Sequence, residues 1–221
     1  MKKTIKTDSV SSAIRLSRSN TLSFYLNTMP IKVQNVIDVG CNVGDTMSYF
    51  QKILSPEKIY GFEPWRKNYK KAIRKCPFAV ISNVAVSNYD GVAEFNLYQP
   101  KQHSLWKKID EDGRGAVSVP VTRLDTWATN NQITNMDFIK IDTQGNDLNV
   151  LMGMGRCFEM AKIIQVEVFF SYEYRDTPLF HDIMSYMIQN HFCFHHFSSL
   201  HYNRFGKALW GDAVFHMEGS L

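Results

Sequence analysis

A loop rich in small residues follows the first apolar run of the chain, at a position where it could hold a cofactor. It reads Asp38-Val39-Gly40-Cys41-Asn42-Val43-Gly44-Asp45-Thr46. Glycines let a backbone turn sharply and approach a ligand closely. A dinucleotide site would carry G-x-G-x-x-G, whereas Asn42 replaces the middle glycine here, so a ligand without phosphates, such as S-adenosylmethionine (SAM), fits better. We predict that this ligand contacts Asp38, Gly40, Cys41, Asn42, Gly44 and Thr46.

An acid follows the second apolar run. Glu63 stands in Gly61-Phe62-Glu63-Pro64-Trp65, 23 residues after Gly40, which is close to the spacing of ribose-binding acids. Its carboxylate would accept hydrogen bonds from both ribose hydroxyls, with Pro64 beside it. The third run ends in Asn83-Val84-Ala85, where Asn83 would meet the edge of an adenine ring and Ala85 would leave room for it. In the alternative interpretation, the glycines only shape a turn and Glu63 only caps a helix.

Two further carboxylates and one histidine are candidates for acid–base chemistry. Asp142 and Glu167 each lie near the end of a later apolar run, so either could accept the proton of a reacting hydroxyl. His103 stands in a long polar loop and could close over the site together with Trp106. The two acids could also hold a divalent cation, but no metal site is predicted. The alternatives are a helix N-terminal acid for Asp142, a salt bridge for Glu167 and an exposed side chain for His103.

Two other groups of charged or ligand-type residues have simpler interpretations. Four histidines near the C-terminus are His191, His195, His196 and His201. Because neighbouring residues on a strand point to opposite faces, they are not expected to form a shared metal site. The six basic residues within Arg66–Lys75 are expected to be a solvated helix face, with attraction of an anionic acceptor as the alternative.

These residues need a scaffold that brings the ends of several strands together. Apolar runs predict strands over 35–39, 58–62, 78–82, 136–141, 161–170, 192–197 and 213–217, and helical spacing predicts helices over 43–54, 65–75, 147–154 and 179–190. Such alternation is typical of a parallel sheet with helices on its faces. Segments 93–98 and 116–121 would add a strand pair around the polar loop 99–115. The expected fold is therefore α/β and doubly wound.

Length and composition are those of one globular domain. The chain has 221 residues, of which 44% are hydrophobic and 21% charged, and this argues against a disordered chain. The net charge of +4 is too small to indicate a nucleic-acid partner. No apolar stretch approaches the roughly 18 residues of a membrane span, no signal-peptide pattern is present, and the four scattered cysteines suit a reduced cytoplasmic protein. Residues 1–30 are expected to form a basic extension with a helix over 11–26, and 31–221 the domain.

Several segments carry a family resemblance. They are VIDVGCNVG at 36–44, GFEP at 61–64, NVAVS at 83–87, VPVTRLD at 119–125, DFIKIDTQG at 137–145 and VEV at 166–168. In this order they resemble the FkbM family of SAM-dependent methyltransferases, over roughly residues 35–217. The resemblance implies a Rossmann-like class I methyltransferase fold, with a seven-stranded, mostly parallel sheet and an inserted strand pair. It also implies methyl transfer from SAM to a hydroxyl of a sugar, glycan precursor or similar small molecule, with Asp142 near the methyl group.

One position departs from the family pattern. The family commonly has Asp-x-Glu-Gly, whereas this chain has Gln144 at the position of the Glu. An amide can form hydrogen bonds but cannot act as a base or as a charged metal ligand. A SAM-binding protein without catalysis therefore stays open as an alternative. An NAD(P)-dependent oxidoreductase on a Rossmann fold is the other alternative, although Asn42 counts against it. The sequence leaves the acceptor and the oligomeric state open.

Overall fold

The computed structural model describes residues 21–28, 31–98, 103–108 and 115–219. Its strands are β1 Asn35–Val39, β2 Lys58–Phe62, β3 Val80–Ser82, β4 Ala85–Val86, β5 Gly91–Asn96, β6 Ala116–Thr122, β7 Met136–Ile141, β8 Ala161–Phe169, β9 Phe192–Tyr202 and β10 Ala208–Met217. Its helices are α1 Thr21–Thr28, α2 Asp45–Leu54, α3 Arg66–Lys75, α4 Leu124–Asn130, α5 Asp147–Met152, α6 Cys157–Met160 and α7 Phe180–Gln189. Of the N-terminal helix expected over 11–26, residues 11–20 lie outside the described residues.

Seven strands form one sheet in the order β3-β2-β1-β7-β8-β10-β9. The strands from β3 to β8 in this order are parallel, and β10 runs antiparallel to β8 and β9. The expected seven-stranded, mostly parallel sheet is thus confirmed. From β1 the chain builds outward to β3, and it later returns to the other side of β1 as β7. The carboxyl ends of β1 and β7 therefore border the crevice where such sheets bind ligands.

The central strands of the sheet are buried on both faces. Val36 and Phe138 face α1, α2 and α3, where Phe138 meets the ring of Phe50 edge-on at 5.0 Å. Ile37 and Ile139 belong to the core on the opposite face, together with α4, α5, α6 and α7. Successive side chains of a strand point to opposite faces, so a strand covered on both sides needs apolar residues throughout. This explains why β1 and β7 appear in the sequence as apolar runs.

The inserted strands form a second sheet with the order β4-β6-β5. The expected pair is β5 and β6, which are antiparallel, and β4 joins β6 in parallel. The expectation of strand 93–98 is shifted, because pairing with β6 runs from Gly91 to Asn96. The sequence did not predict β4, α4 or α6, which are short, and neither helix begins with a side-chain cap.

The last two strands are longer than the sequence predicts. β9 continues to Tyr202 and β10 begins at Ala208, whereas the apolar pattern covers only 192–197 and 213–217. The additional residues form the outer part of an antiparallel hairpin that includes half-buried polar side chains. Strands that are solvated on one face lack a continuous apolar run. The apolar pattern therefore does not predict the outer halves of β9 and β10.

The helices in the described ranges are short. The longest, α2, α3 and α7, have 10 residues each, against about 20 for a membrane-spanning helix. No helix in this part of the chain is long and apolar enough to cross a membrane. α3 presents an exposed basic surface, as expected for a solvated face, with the residues Arg66, Lys67, Lys70, Lys71, Arg74 and Lys75.

Candidate active site

A cleft opens at the carboxyl ends of β1, β2 and β7, beside β4. Most of the predicted site residues line it, namely Gly40, Cys41, Asn42, Thr46, Glu63, Pro64, Ala85, His103 and Asp142. Four predicted residues adjoin the cleft without lining it: Asp38, Gly44, Asn83 and Glu167. The structure therefore brings together residues from six separate segments of the sequence.

The loop after β1 packs directly against the loop after β7. Gly40 has φ +86°, and a Cβ there would lie 2.0 Å from the backbone oxygen of Asp142. Only glycine permits this approach, because any side chain would push the two loops apart. The amides of Gly40 and Cys41 both donate to the Phe62 oxygen at 3.0 Å, and Asn68 Nδ2 donates to Asn42 Oδ1 at 2.9 Å. The loop is thus fixed against β2, β7 and α3.

Asp38 is fully buried at the end of β1. No hydrogen bond from the described residues reaches either of its carboxylate oxygens. Burial raises the pKa of Asp38 to about 6, an effect that Lys140 reduces and Asp142 increases. A buried carboxylate without a donor is costly in free energy, so a cationic or donor group of a ligand would stabilise it.

Glu63 lies in the cleft wall just after β2. Its Oε1 accepts the backbone N–H of Trp65 at 2.8 Å. Burial raises the pKa of Glu63 to about 7, although backbone hydrogen bonds from Trp65 and Asn42 lower it again in part. The carboxylate accepts the N–H of the residue before α3, not an N–H of the helix itself, and it also faces the cleft.

Asn83 has a different contact from the one expected at an adenine edge. Its Nδ2 donates to the backbone oxygens of Glu63 and Pro64, both at 2.8 Å. The side chain therefore holds the Glu63 loop in place from behind. The adjoining cleft wall is formed by Val84, Ala85 and Val86, which are small and apolar enough to pack against a flat ring.

Asp142 and Glu167 are joined through the amide of Gln144. Gln144 Nε2 donates to Asp142 Oδ1 at 2.9 Å and to Glu167 Oε2 at 2.9 Å. Its other end, Oε1, accepts the hydroxyl of Tyr174 at 3.0 Å. Lys140 Nζ forms an ion pair with Asp142 Oδ2 at 2.9 Å. One amide and one ammonium thus organise the two acids, and sequence reasoning missed both Tyr174 and the bridging role of Gln144.

The two acids differ in protonation. Burial would raise the pKa of Asp142, but Lys140 and the hydrogen bond from Gln144 hold it below its ordinary value. Burial raises the pKa of Glu167 well above its ordinary value, and the charges of Asp142 and Asp147 raise it further. Of the two acids, Glu167 therefore binds a proton more strongly and Asp142 ionises more readily.

Segment 103–108 covers one side of the site. His103 packs edge-on against Trp65, with ring centroids 4.4 Å apart, and its Nδ1 accepts the Tyr98 N–H at 3.0 Å. A neutral His103 therefore carries its proton on Nε2, which suits a hydrogen-bond donor better than a general base. Ser104 Oγ donates to the Gln144 backbone oxygen at 2.6 Å, and Trp106 Nε1 donates to Asn146 Oδ1 at 3.1 Å. Residues 103–108 are thereby anchored on the loop after β7.

The C-terminal histidines are arranged differently from the expectation that neighbours point apart. The Nδ1 atoms of His195 and His196 lie 2.8 Å from each other. The register of β9 against β10 skips His195, so a bulge turns the two rings to one side. Tyr25 of α1 packs on both rings, and burial lowers the pKa of His196 to about 4. Within the ranges described, no group of three or more His, Cys, Asp and Glu side chains is placed to hold a metal ion.

Comparisons with known proteins agree on one family and one fold. The family model described as "Methyltransferase FkbM domain" matches residues 38–197. The 2-O-methyltransferase NoeI of Sinorhizobium fredii (strain NBRC 101917 / NGR234) is 25% identical over 158 residues, which cover 60% of this chain and 62% of NoeI. The match therefore spans less than two thirds of that relative.

Solved structures give the same result for the fold. Magnesium protoporphyrin IX methyltransferase (ChlM) of Synechocystis PCC 6803, with bound SAM, has a TM-score of 0.50 and 13% identity, covering 89% of this chain and 77% of ChlM. TrmK of M. capricolum, in complex with S-adenosylhomocysteine (SAH), has a TM-score of 0.52 and 9% identity, covering 91% and 68%. An rRNA methylase of Streptococcus thermophilus has a TM-score of 0.53 and 9% identity, covering 93% and 99%. These likenesses confirm the Rossmann-like class I methyltransferase fold.

Proposed function

Because the chain belongs to the FkbM methyltransferase domain family, we propose that it transfers the methyl group of SAM to a hydroxyl of a sugar, glycan precursor or similar small molecule. The observation that carries this proposal is that the cleft, whose residues suit a cofactor, ends at a pair of acids. Glu63 lines the cleft at one end and Asp142 at the other. The similarity to a 2-O-methyltransferase supports oxygen as the accepting atom.

The cleft residues fit SAM in chemistry. The unpartnered carboxylate of Asp38 suits the positive charge of the methionyl end, and the loop with Gly40, Cys41, Asn42, Gly44 and Thr46 suits its backbone-like groups. Glu63, with Pro64 beside it, suits the two ribose hydroxyls. Ala85 would pack on the adenine ring, and Asn83 would hold the loop that carries Glu63.

The acids at the end of the cleft would handle the proton of the acceptor. When bound, SAM supplies a methyl carbon that its sulfonium makes electrophilic, so a positioned oxygen can attack it directly. In its ionised form Glu167 accepts the hydroxyl proton, because its raised pKa makes it the stronger base of the pair. Asp142, neutralised by Lys140, orients the acceptor, and His103 donates a hydrogen bond. No step requires a metal ion, although the two carboxylates could hold one.

The remaining predictions follow from the same proposal. We assign the methyltransferase domain to residues 31–221 and a basic extension to residues 1–30. A small-molecule or glycan acceptor, without nucleic acid, remains the expected partner. The rRNA methylase of Streptococcus thermophilus shares 9% identity with this chain, which is a likeness of fold and says nothing of substrate. A cytoplasmic location also remains a prediction.

Calorimetric titration with SAH tests the cofactor directly. Wild-type protein should bind with micromolar affinity, and Glu63→Ala should lose about tenfold or more of it, since one carboxylate serves two hydroxyls. Glu94→Ala, at an exposed position, is the matched control and should bind as the wild type does. Absence of SAH binding, or binding of NAD alone, would overturn the proposal. Transfer of a deuterated methyl group from SAM to a sugar library then separates an enzyme from a SAM-binding protein.

A further inference from the structure

We propose that the surface of β9 and β10 beside Glu167 is a sugar-binding subsite, in which a pyranose ring stacks on Trp210 and its hydroxyls donate to Asp212. This inference rests on the proposed function, because it assigns a place for the acceptor at the same active site. Its two ligand-contacting residues, Trp210 and Asp212, belong neither to the sequence motifs nor to the lining of the cofactor cleft.

The strand register places these side chains on one surface. β10 pairs Asp212 with Glu167 of β8 and with Ser199 of β9, and it pairs Trp210 with Phe169 and with His201. Directly paired residues share a face of the sheet, as do residues two apart on one strand. Trp210, Asp212 and Glu167 therefore face the same side. Neighbouring strands lie about 4.8 Å apart, and two residues along a strand span about 6.8 Å. Trp210 therefore lies on the strand next to Glu167 and two residues along it, a separation that one pyranose ring can bridge.

Trp210 has the form of a stacking platform. Its indole lies parallel to the His201 ring, at 4.8 Å between centroids and 11° between planes. This contact fixes the orientation of the indole, so a ligand need not order it on binding. Trp210 is only half-buried, and His201 is exposed. Flat aromatic surfaces at half-exposed positions suit the C–H faces of sugar rings, which are apolar while their edges are polar.

Asp212 supplies the polar edge of the same surface. One of its oxygens, Oδ2, accepts the Ser199 hydroxyl at 2.5 Å. Among the described residues no hydrogen bond reaches the other oxygen, Oδ1. Burial raises the pKa of Asp212, while Lys140 and the Ser199 hydrogen bond lower it in part. A preoriented carboxylate with one oxygen to spare can accept a sugar hydroxyl and set which neighbouring hydroxyl faces Glu167.

Fluorine NMR can locate a sugar without any turnover. The chain has four tryptophans, Trp65, Trp106, Trp127 and Trp210, so protein labelled with 5-fluorotryptophan should give four resonances that Trp→Phe variants assign. Saturated with SAH, it is titrated with the methyl pyranosides of glucose, galactose, mannose, fucose, rhamnose and N-acetylglucosamine. At least one glycoside should shift the Trp210 resonance and leave that of Trp127, in the core, unchanged.

Variants separate the subsite from general effects. Asp212→Asn should weaken the sugar by about tenfold or more, because it replaces a charged acceptor, while SAH binds unchanged. Glu94→Gln, at an exposed position, should leave both affinities intact. A shift confined to Trp65 or Trp106, no shift with any glycoside, or equal affinity in Asp212→Asn would overturn the subsite while SAH binding stands. Failure of SAH to bind the wild type would instead overturn the proposed function.

Discussion

Gln144 is the residue that links the two acids of the site. Its single amide nitrogen donates to Asp142 and to Glu167, and Tyr174 fixes which end of the side chain faces them. A neutral donor between two carboxylates reduces their repulsion without adding charge, and it favours their ionised forms. The departure from the family's Glu is therefore compatible with the proposed catalysis, because the amide would orient the proposed base, whereas a third acid would compete with it for the proton.

Gln144→Glu tests that role by adding a third carboxylate of the same size. We expect the free energy of unfolding at pH 7 to fall by about 1–3 kcal/mol, since two donors are lost and like charges face each other. Mn²⁺ should recover the loss, because hard cations bind clustered carboxylates. Chemical denaturation with and without Mn²⁺ measures both effects. Gln189→Glu, exposed on α7, adds the same charge elsewhere and should show neither. Equal stability of Gln144→Glu and wild type would contradict the bridging role.

We predict that Glu63 makes the affinity for the cofactor depend on pH. Burial raises its pKa to about 7, and the ionised carboxylate is the better acceptor for ribose hydroxyls. SAH affinity should therefore rise between pH 6 and pH 8, and binding near pH 7 should release protons. Calorimetry in buffers of different ionisation enthalpy measures the released fraction. Glu63→Gln should bind weakly at every pH and release fewer protons; an unchanged pH profile in this variant would assign the effect to another group.

At the scale of elements, the sequence predicts strands that are buried on both faces, but it does not predict strands that form only by pairing with a distant strand. β1, β2, β7 and β8 are covered on both faces, so their apolar runs marked them and placed the cleft residues at their ends. β4 has only two residues, and it exists because β6 pairs with it. In the site, Gly40 and Glu63 follow from spacing along the chain. Ser104 and Tyr174 contact Gln144 although they lie 40 and 30 residues away from it in the sequence. These contacts exist only in the folded chain, so spacing along the sequence could not predict them.

Segment 103–108 should respond as a unit to loss of its anchor. Ser104 is fully buried, and its hydroxyl donates to the Gln144 oxygen and accepts the Trp106 N–H. Ser104→Ala leaves both partners unsatisfied, at a cost of about 1–3 kcal/mol. We expect faster amide hydrogen exchange in 103–108 and faster SAH dissociation, since this segment borders the cleft. Ser118→Ala, at an exposed position of β6, is the control. Unchanged exchange would show that backbone contacts alone hold the segment.

At the scale of the whole molecule, an exposed basic helix contrasts with a buried site that is rich in acids. The exposed surface of α3 is basic, whereas the site buries acids. Burial raises the pKa of Asp38 to about 6, of Glu63 to about 7 and of Asp147 to about 6. Each of these groups keeps its proton longer in the folded chain than in the unfolded chain. Their joint effect is to lower the free energy of unfolding as pH rises from about 4 to 7. A positively charged ligand bound beside the ionised carboxylates would raise the free energy of unfolding again.

Asp38→Asn should therefore stabilise the chain without ligand while weakening cofactor binding. At pH 8 Asp38 is ionised, buried and without a hydrogen-bond donor, so a neutral amide should raise the free energy of unfolding by about 1–3 kcal/mol. Near pH 3.5 the carboxyl is protonated in both states and the gain should vanish. Urea denaturation at both pH values measures this, with Glu159→Gln, at an exposed position, as control. A destabilised Asp38→Asn at pH 8 would mean that the carboxylate has a donor in solution, and the site would then be built for stability rather than for a cationic ligand.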